Sequence, residues 1–267
     1  MIRALRAEFF KLKRARMPLW TVLVLCGYAV INSVFGVALT DPKVGQRLGA
    51  SGGAFSRAAA AGMYQANWTN FMRFNPQGIA GSWGLLVFGL VVAYVFGREY
   101  SEGTAKNMLT LPIRREWFVV AKMVVIALWV FGLAVLSVAL QALCARLLDL
   151  PGFSWAIIRE CLTQSLEVTL LVFLTLPVVA WFAVLGRGYL PPMGFTITMM
   201  LVGTGMAMSE YARWFPWNMP VVVIGASWLP IPTVSGLVPG SWAVAVATFV
   251  AGLGLVIWQV DRADNAQ

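Results

Sequence analysis

Three polar side chains recur at helical spacing near the start of an apolar stretch. Glu160, Gln164 and Glu167 occupy positions i, i+4 and i+7, so a helix places them on one face. A carboxylate inside a membrane span is costly and marks a substrate contact or a gate. A carboxylate-dependent transfer reaction is a second use for such a pair. The competing interpretation puts Glu160 and Gln164 at the outer membrane interface and pairs Glu167 with an outer arginine such as Arg159.

Other catalytic chemistry is excluded by residue types that the chain lacks. It contains no histidine, which excludes serine–histidine hydrolysis, histidine-ligated zinc or haem, and histidine proton shuttles. Its three cysteines, Cys26, Cys144 and Cys161, are far apart in apolar surroundings and predict neither a metal pair nor a disulfide framework. No G-x-x-x-x-G-K-[ST] loop is present to hold nucleotide phosphates. We therefore predict no catalytic residue, no metal and no cofactor bound by this chain.

The composition identifies the elements that must position these residues. Of 267 residues, 60% are hydrophobic and 12% are charged, whereas a soluble domain is nearer half apolar and a quarter charged. Apolar runs of about 20 residues are long enough to cross a bilayer. The sequence predicts an all-α, polytopic membrane protein, a single domain over 1–267, with six spans at about 17–38, 78–96, 117–143, 166–185, 189–208 and 241–260.

The basic residues predict the orientation of these spans. The net charge is +9, and lysines and arginines are concentrated before the first span and between the second and third. By the positive-inside rule this distribution places both termini inside. Short basic segments between apolar runs indicate anionic lipids rather than nucleic acid as the partner.

Three segments outside the spans have their own predicted structure. Residues 1–16 form an amphipathic helix on the inner membrane surface, which serves as a plain anchor or as a platform for a cytosolic protein. Within the outer loop, residues 53–74 predict a short helix lying on the outer surface. Residues 210–237 contain four prolines and an apolar stretch too short to cross, so they predict an outer re-entrant or interfacial segment.

The inner loop between the second and third spans predicts a small docking element. Gly103 ends the preceding helix, Thr104 caps a new one, and Pro112 ends it after little more than one turn. Met108 and Leu109 present apolar side chains among charges of both signs. A short helix of this kind is typical of an element that fits into a groove of another protein.

At these residues the chain resembles the ABC-2-type permease subunits of ATP-driven exporters, in particular the small antibiotic- and lantibiotic-resistance permeases. One motif precedes the first span and reads Glu8-Phe9-Phe10-Lys11-Leu12-Lys13-Arg14. The other follows the second span and reads Arg98-Glu99-x-x-x-Gly103-Thr104, with Leu109, Pro112, Arg115 and Lys122 after it.

The resemblance implies a bacterial plasma-membrane permease that pairs with a second permease, a copy of itself or a paralogue. Two separate ATPase subunits would use ATP and Mg²⁺. It also implies that the inner loop and the N-terminal helix contact the ATPase. The implied N-terminal contacts are Glu8, Phe9, Lys11 and Arg14. The implied coupling residues of the loop are Glu99, Glu102, Gly103, Thr104, Met108, Leu109, Pro112 and Arg115.

The expected cargo is a peptide antibiotic, a drug or a lipid-like molecule, and two other functions stay open. A membrane-embedded enzyme would depend on Glu160 and Glu167, since none of the four aspartates lies within a span. A non-transporting scaffold or immunity protein would need no special residue. An ion-coupled secondary transporter is disfavoured because the sequence shows neither an internal repeat nor a charge near the middle of a span.

Overall fold

The structure is a computed structural model, and it describes residues 8–11, 15–38, 66–81, 83–101, 115–206, 209–225 and 236–262. Regular structure in these residues is helical. A helical turn occupies residues 8–11, and a 3₁₀ helix spans Glu210–Trp214. The α-helices are α1 (Met17–Ala38), α2 (Trp68–Gly81), α3 (Trp83–Ser101), α4 (Arg115–Leu147), α5 (Trp155–Leu185), α6 (Leu190–Met206), α7 (Met219–Ile224) and α8 (Pro239–Arg262).

Helix length decides which elements are able to cross a bilayer. Helices α1, α4, α5 and α8 are long and apolar enough, and α2 with α3 forms a fifth candidate that bends by 48° at its break. Helix α6 has 17 residues, about 26 Å at 1.5 Å per residue, which is shorter than a hydrocarbon core of about 30 Å. The all-helical class is confirmed, with four or five candidate spans in the described residues. The count of six and the N-in, C-in orientation stay predictions.

Helix α5 is the centre of the bundle. It packs against α2, α3, α4, α6, α7 and α8, and its buried face carries Val168, Val172, Leu176 and Val179. Helix α8 lies close against α5, since a Cβ atom on Gly252 would lie 2.8 Å from the backbone nitrogen of Val178. The outer faces of α1 and α8 expose large apolar side chains, as a lipid-facing surface requires.

Helix α2 corrects the predicted surface helix. Residues 53–65 lie outside the described residues, but from Trp68 onward the chain is helical and buried rather than spread on a surface. Trp68, Phe71 and Met72 are almost completely buried and pack beside α4 and α5. Aromatic residues at helical spacing form a stripe that suits an interface or a protein interior equally well. Here two long neighbouring helices cover that stripe.

Side chains from three other helices bind carbonyl groups of α2. Pro76 has no N–H, so the carbonyl of Met72 loses its helical partner. The thiol of Cys161 on α5 donates to that carbonyl at 3.4 Å. The amide of Gln141 on α4 donates to Phe71 O at 3.0 Å, and the hydroxyl of Tyr28 on α1 donates to Phe74 O at 3.1 Å. These bonds allow a proline-containing helix to lie in the interior of the bundle.

The predicted re-entrant or interfacial segment, 210–237, contains short helices in its described part. The 3₁₀ helix Glu210–Trp214 is followed by α7, which has six residues and is too short to cross a bilayer. Helix α7 packs on α2 and α5, so its backbone is covered by protein. Residues 226–235 lie outside the described residues.

Candidate functional site

Four charged side chains meet where the N-terminal turn reaches the end of α3 and the start of α4. We call Glu8, Lys11, Glu99 and Lys122 the charge cluster. The Nζ atom of Lys122 lies 2.8 Å from Glu99 Oε1 and 3.6 Å from Glu8 Oε2. The Nζ atom of Lys11 lies 2.7 Å from Glu8 Oε1 and 3.3 Å from Glu99 Oε1. Each lysine thus contacts both carboxylates, and the formal charges sum to zero.

Lys122 is the most deeply buried member, with 1% of its surface exposed. Its ammonium donates a hydrogen bond to Val95 O at 2.6 Å, and it lies 4.8 Å and 5.3 Å from the ring centres of Phe118 and Phe96. A buried ammonium is tolerated only when its donors and its charge are matched. Lys122 meets that condition, and it also places a positive charge near the C-terminal end of α3, where the helix dipole favours one.

The N-terminal turn is held to the bundle by the partly exposed Lys11. Burial alone lowers the pKa of a lysine, but the hydrogen bonds and negative charges of Glu8 and Glu99 outweigh it and raise the pKa of Lys11 above 10.5. A lysine whose folded pKa is raised contributes fully below its unfolded pKa and loses that contribution only as the pH rises through the folded value. The attachment is therefore complete at neutral pH.

The structure brings together some of the predicted coupling and N-terminal residues. Glu8, Lys11 and Glu99 converge, and both carboxylates point into the protein rather than toward solvent. Phe9 faces outward and is 56% exposed, while Arg115 opens α4. The remaining predicted residues lie outside the described residues: Arg14, Glu102, Gly103, Thr104, Met108, Leu109 and Pro112.

Lys122 is the functional candidate whose partners sequence reasoning missed. In the sequence it stands out as the one charge interrupting the start of an apolar run. A lysine there, with a glutamate at the end of the preceding span, is the available signal for a pair. The Glu99–Lys122 contact brings together the two helices that flank residues 102–114.

The second group of predicted site residues lies on α5. As expected, Glu160 and Gln164 share a face, and the Gln164 amide donates to Glu160 Oε1 at 3.4 Å. Glu160 and Glu167 are both exposed on the bundle surface, and Gln164 is half-buried. Arg159 does not pair with Glu167 among the described residues, because the two lie about 12 Å apart along the helix axis.

Glu160→Gln and Glu167→Gln are expected to leave the stability unchanged within about 0.5 kcal/mol, since exposed side chains contribute little and Glu160 accepts only a long hydrogen bond from Gln164 on its own helix. Thermal unfolding of the purified variants in detergent measures this. A loss above about 1 kcal/mol would contradict the exposed positions described here.

Comparison with known proteins gives two matches. The family described as "ABC-2 family transporter protein" matches residues 4–203. The bacitracin transport permease protein BCRB of Bacillus licheniformis is 29% identical over 147 residues, which cover 55% of this chain and 71% of that protein. No solved structure matches. The family match includes the charge cluster, residues 102–114 and the polar residues of α5.

Proposed function

The chain belongs to the ABC-2 family of transporter proteins, and we propose that it is the permease subunit of an ATP-driven exporter in the bacterial cytoplasmic membrane. The family match over residues 4–203 carries this proposal. The chain is a multi-pass membrane protein with no nucleotide-binding loop, so ATP hydrolysis with Mg²⁺ belongs to separate ATPase subunits. No covalent step falls to the permease.

The charge cluster supports a role for residues 102–114 in coupling ATP hydrolysis to transport. In the N-in orientation the cluster lies at the cytosolic end of α3 and α4, directly beside residues 102–114. The ATPase contacts Glu102, Gly103, Thr104, Met108, Leu109 and Pro112 of this segment, together with Arg115, which follows it. Because Glu99 and Lys122 bind each other and the N-terminal turn, a displacement of the segment moves α3, α4 and the turn together.

The cargo proposed for this exporter is a peptide antibiotic, a drug or a lipid-like molecule. The support is the relative named as a bacitracin transport permease. A second permease, either a copy of this chain or a paralogue, completes the translocation path, and membrane lipids cover the apolar outer faces of α1 and α8.

Co-expression with the cognate ATPase tests this function. We expect the two proteins to copurify in mild detergent and the replacement Glu102→Ala, combined with Gly103→Pro, to abolish transport by at least tenfold without reducing the amount of permease in the membrane. The physical reason is that proline and loss of the carboxylate alter the docking segment while the spans stay unchanged.

Asp149→Asn is the matched control, because it changes an exposed carboxylate at the opposite end of the bundle. A permease that transports at the wild-type rate with the altered segment, or that transports in the absence of any ATPase, would overturn the proposal.

A further inference from the structure

A buried polar layer crosses the bundle far from the charge cluster. The Oδ1 atom of Asn75 accepts hydrogen bonds from the hydroxyls of Ser137 at 3.1 Å and Ser165 at 3.2 Å. Gln141, one turn beyond Ser137 on α4, donates to a carbonyl of α2. In the described residues, Asn75 Nδ2 and Gln141 Oε1 have no partner although both are buried. Unpaired polar atoms are tolerated best at a level that water can reach.

This polar layer separates two hydrophobic cores. On one side Val138, Ala145 and Cys161 pack around the aromatic residues at the start of α2. On the other side Ala134 and Val168 belong to the large core, which continues through α3, α4 and α5. An uninterrupted membrane bundle would have one continuous apolar core. Apart from Val138, the buried residues of the smaller core belong to a lobe, which we define as residues 66–74 and 142–164.

The surface of the lobe carries charged side chains beside exposed apolar ones such as Leu147 and Trp155. Its exposed charged residues, together with Glu167 at its base, are Arg73, Arg146, Asp149, Arg159 and Glu160. A charge facing hydrocarbon is costly, and charges within spans normally face the protein interior. Because these residues face outward, the hydrocarbon begins on α5 after Glu167 and ends on α4 before Arg146.

Helix lengths place this boundary within about 8 Å of the polar layer on both helices. Residues 168–185 of α5 carry no charge and extend about 27 Å, close to a hydrocarbon thickness of about 30 Å. On α4, about 30 Å measured from Lys122 reaches Ala142. Helix α5 has 31 residues, or about 46 Å. Its first turns therefore continue past the membrane core.

The lobe is folded rather than a pair of frayed helix ends. The N–H of Trp68 donates to Pro151 O at 3.1 Å, which ties the start of α2 to the α4–α5 connection. The rings of Trp68 and Phe153 have centroids 4.8 Å apart, and those of Phe153 and Trp155 are 5.4 Å apart. Aromatic rings of this kind favour the headgroup level of a bilayer.

We propose that the lobe lies outside the hydrocarbon, with the exposed rings of Phe153 and Trp155 and its arginine side chains in contact with lipid headgroups and its upper surface in water. The polar layer is the boundary between the lobe and the membrane core. Glu160, Gln164 and Glu167 then belong to a water-accessible surface rather than to a buried translocation path. The proposal concerns only the position of the bilayer along the bundle, so it does not depend on ATP-driven transport.

Cysteine labelling of the full-length protein in membranes tests the proposal. In a background with Cys26→Ala, Cys144→Ala and Cys161→Ser, a membrane-impermeant maleimide is applied to fragmented membranes. Glu160→Cys is expected to react at least tenfold faster than Leu170→Cys, because both positions are exposed on the same helix but only the first lies in the lobe. Arg146→Cys and Leu128→Cys form the same comparison on α4.

Equal reaction rates for the two cysteines of each pair would overturn the proposal that the lobe lies outside the hydrocarbon. Amide exchange of the unmodified protein in lipid nanodiscs is a second measurement, and slower exchange in residues 155–164 than in residues 168–180 would also overturn it. Labelling in sealed vesicles distinguishes the lobe proposal from the proposed exporter function. Labelling of the lobe from the cytosolic side would contradict the N-in orientation of the exporter while leaving the lobe itself supported.

Discussion

Lys122→Met is expected to lower the free energy of unfolding by about 3–5 kcal/mol, because it leaves an excess of negative charge in a buried cluster. Lys11 alone then faces Glu8 and Glu99, and Val95 O loses its ammonium donor. Unfolding in mixed micelles with increasing denaturing detergent, followed by the fluorescence of the 12 tryptophans, measures the change.

The double variant Glu99→Gln/Lys122→Met separates charge balance from packing. It restores neutrality, so it is expected to regain at least half of the stability that Lys122→Met loses. Glu116→Gln serves as the control, since this carboxylate is exposed at the start of the same helix. Additive losses in the double variant would contradict the pairing of Glu99 with Lys122.

Gly252→Leu is expected to disrupt the contact of α8 with α5. A Cβ atom at this position would lie 2.8 Å from Val178 N and 3.0 Å from Pro177 C. These are backbone atoms of the central helix and cannot rotate away, so α8 must separate. Overpacking costs about 1–3 kcal/mol even for small additions, and leucine adds more than a methyl group. We expect a thermal midpoint at least 5 °C lower, measured in detergent.

Gly254→Leu is the matched control for this prediction. It lies on the same helix and has open space around its Cβ position, so the helix propensity and the added apolar area change alike. A similar loss of stability in both variants would show that the α8–α5 contact is not the cause.

The helical class was predictable because an apolar run of about 20 residues, long enough to cross a bilayer, indicates a transmembrane helix. The charge cluster was predictable only in part. Glu8 and Glu99 stood out through their motifs and Lys122 through its position in an apolar run, but their contact depends on how three distant elements pack. Side-chain spacing along one helix contains no such information.

The start of α5 could have been predicted from helix-start residues in the sequence, which a search for apolar runs does not detect. The span was predicted to begin at about 166, whereas the helix begins at Trp155. Ser154 is its N-cap, and its hydroxyl accepts a hydrogen bond from Ala156 N at 3.2 Å. Pro151 and Gly152 precede it as turn residues. The capping and turn residues therefore indicate the start of the helix, whereas the apolar run indicates only the part of it that crosses the membrane.

The central place of α5 has a consequence for biosynthesis. The ribosome completes α1 to α4 before α5 emerges, so Asn75 and Met72 are in place while their partners Ser165 and Cys161 are still missing. During that interval α1 and α4 already supply hydrogen bonds to α2 through Tyr28, Ser137 and Gln141. Insertion of α5 is therefore the step that closes the bundle, and a nascent chain arrested before Trp155 presents an incompletely bonded α2 to the quality-control machinery of the membrane.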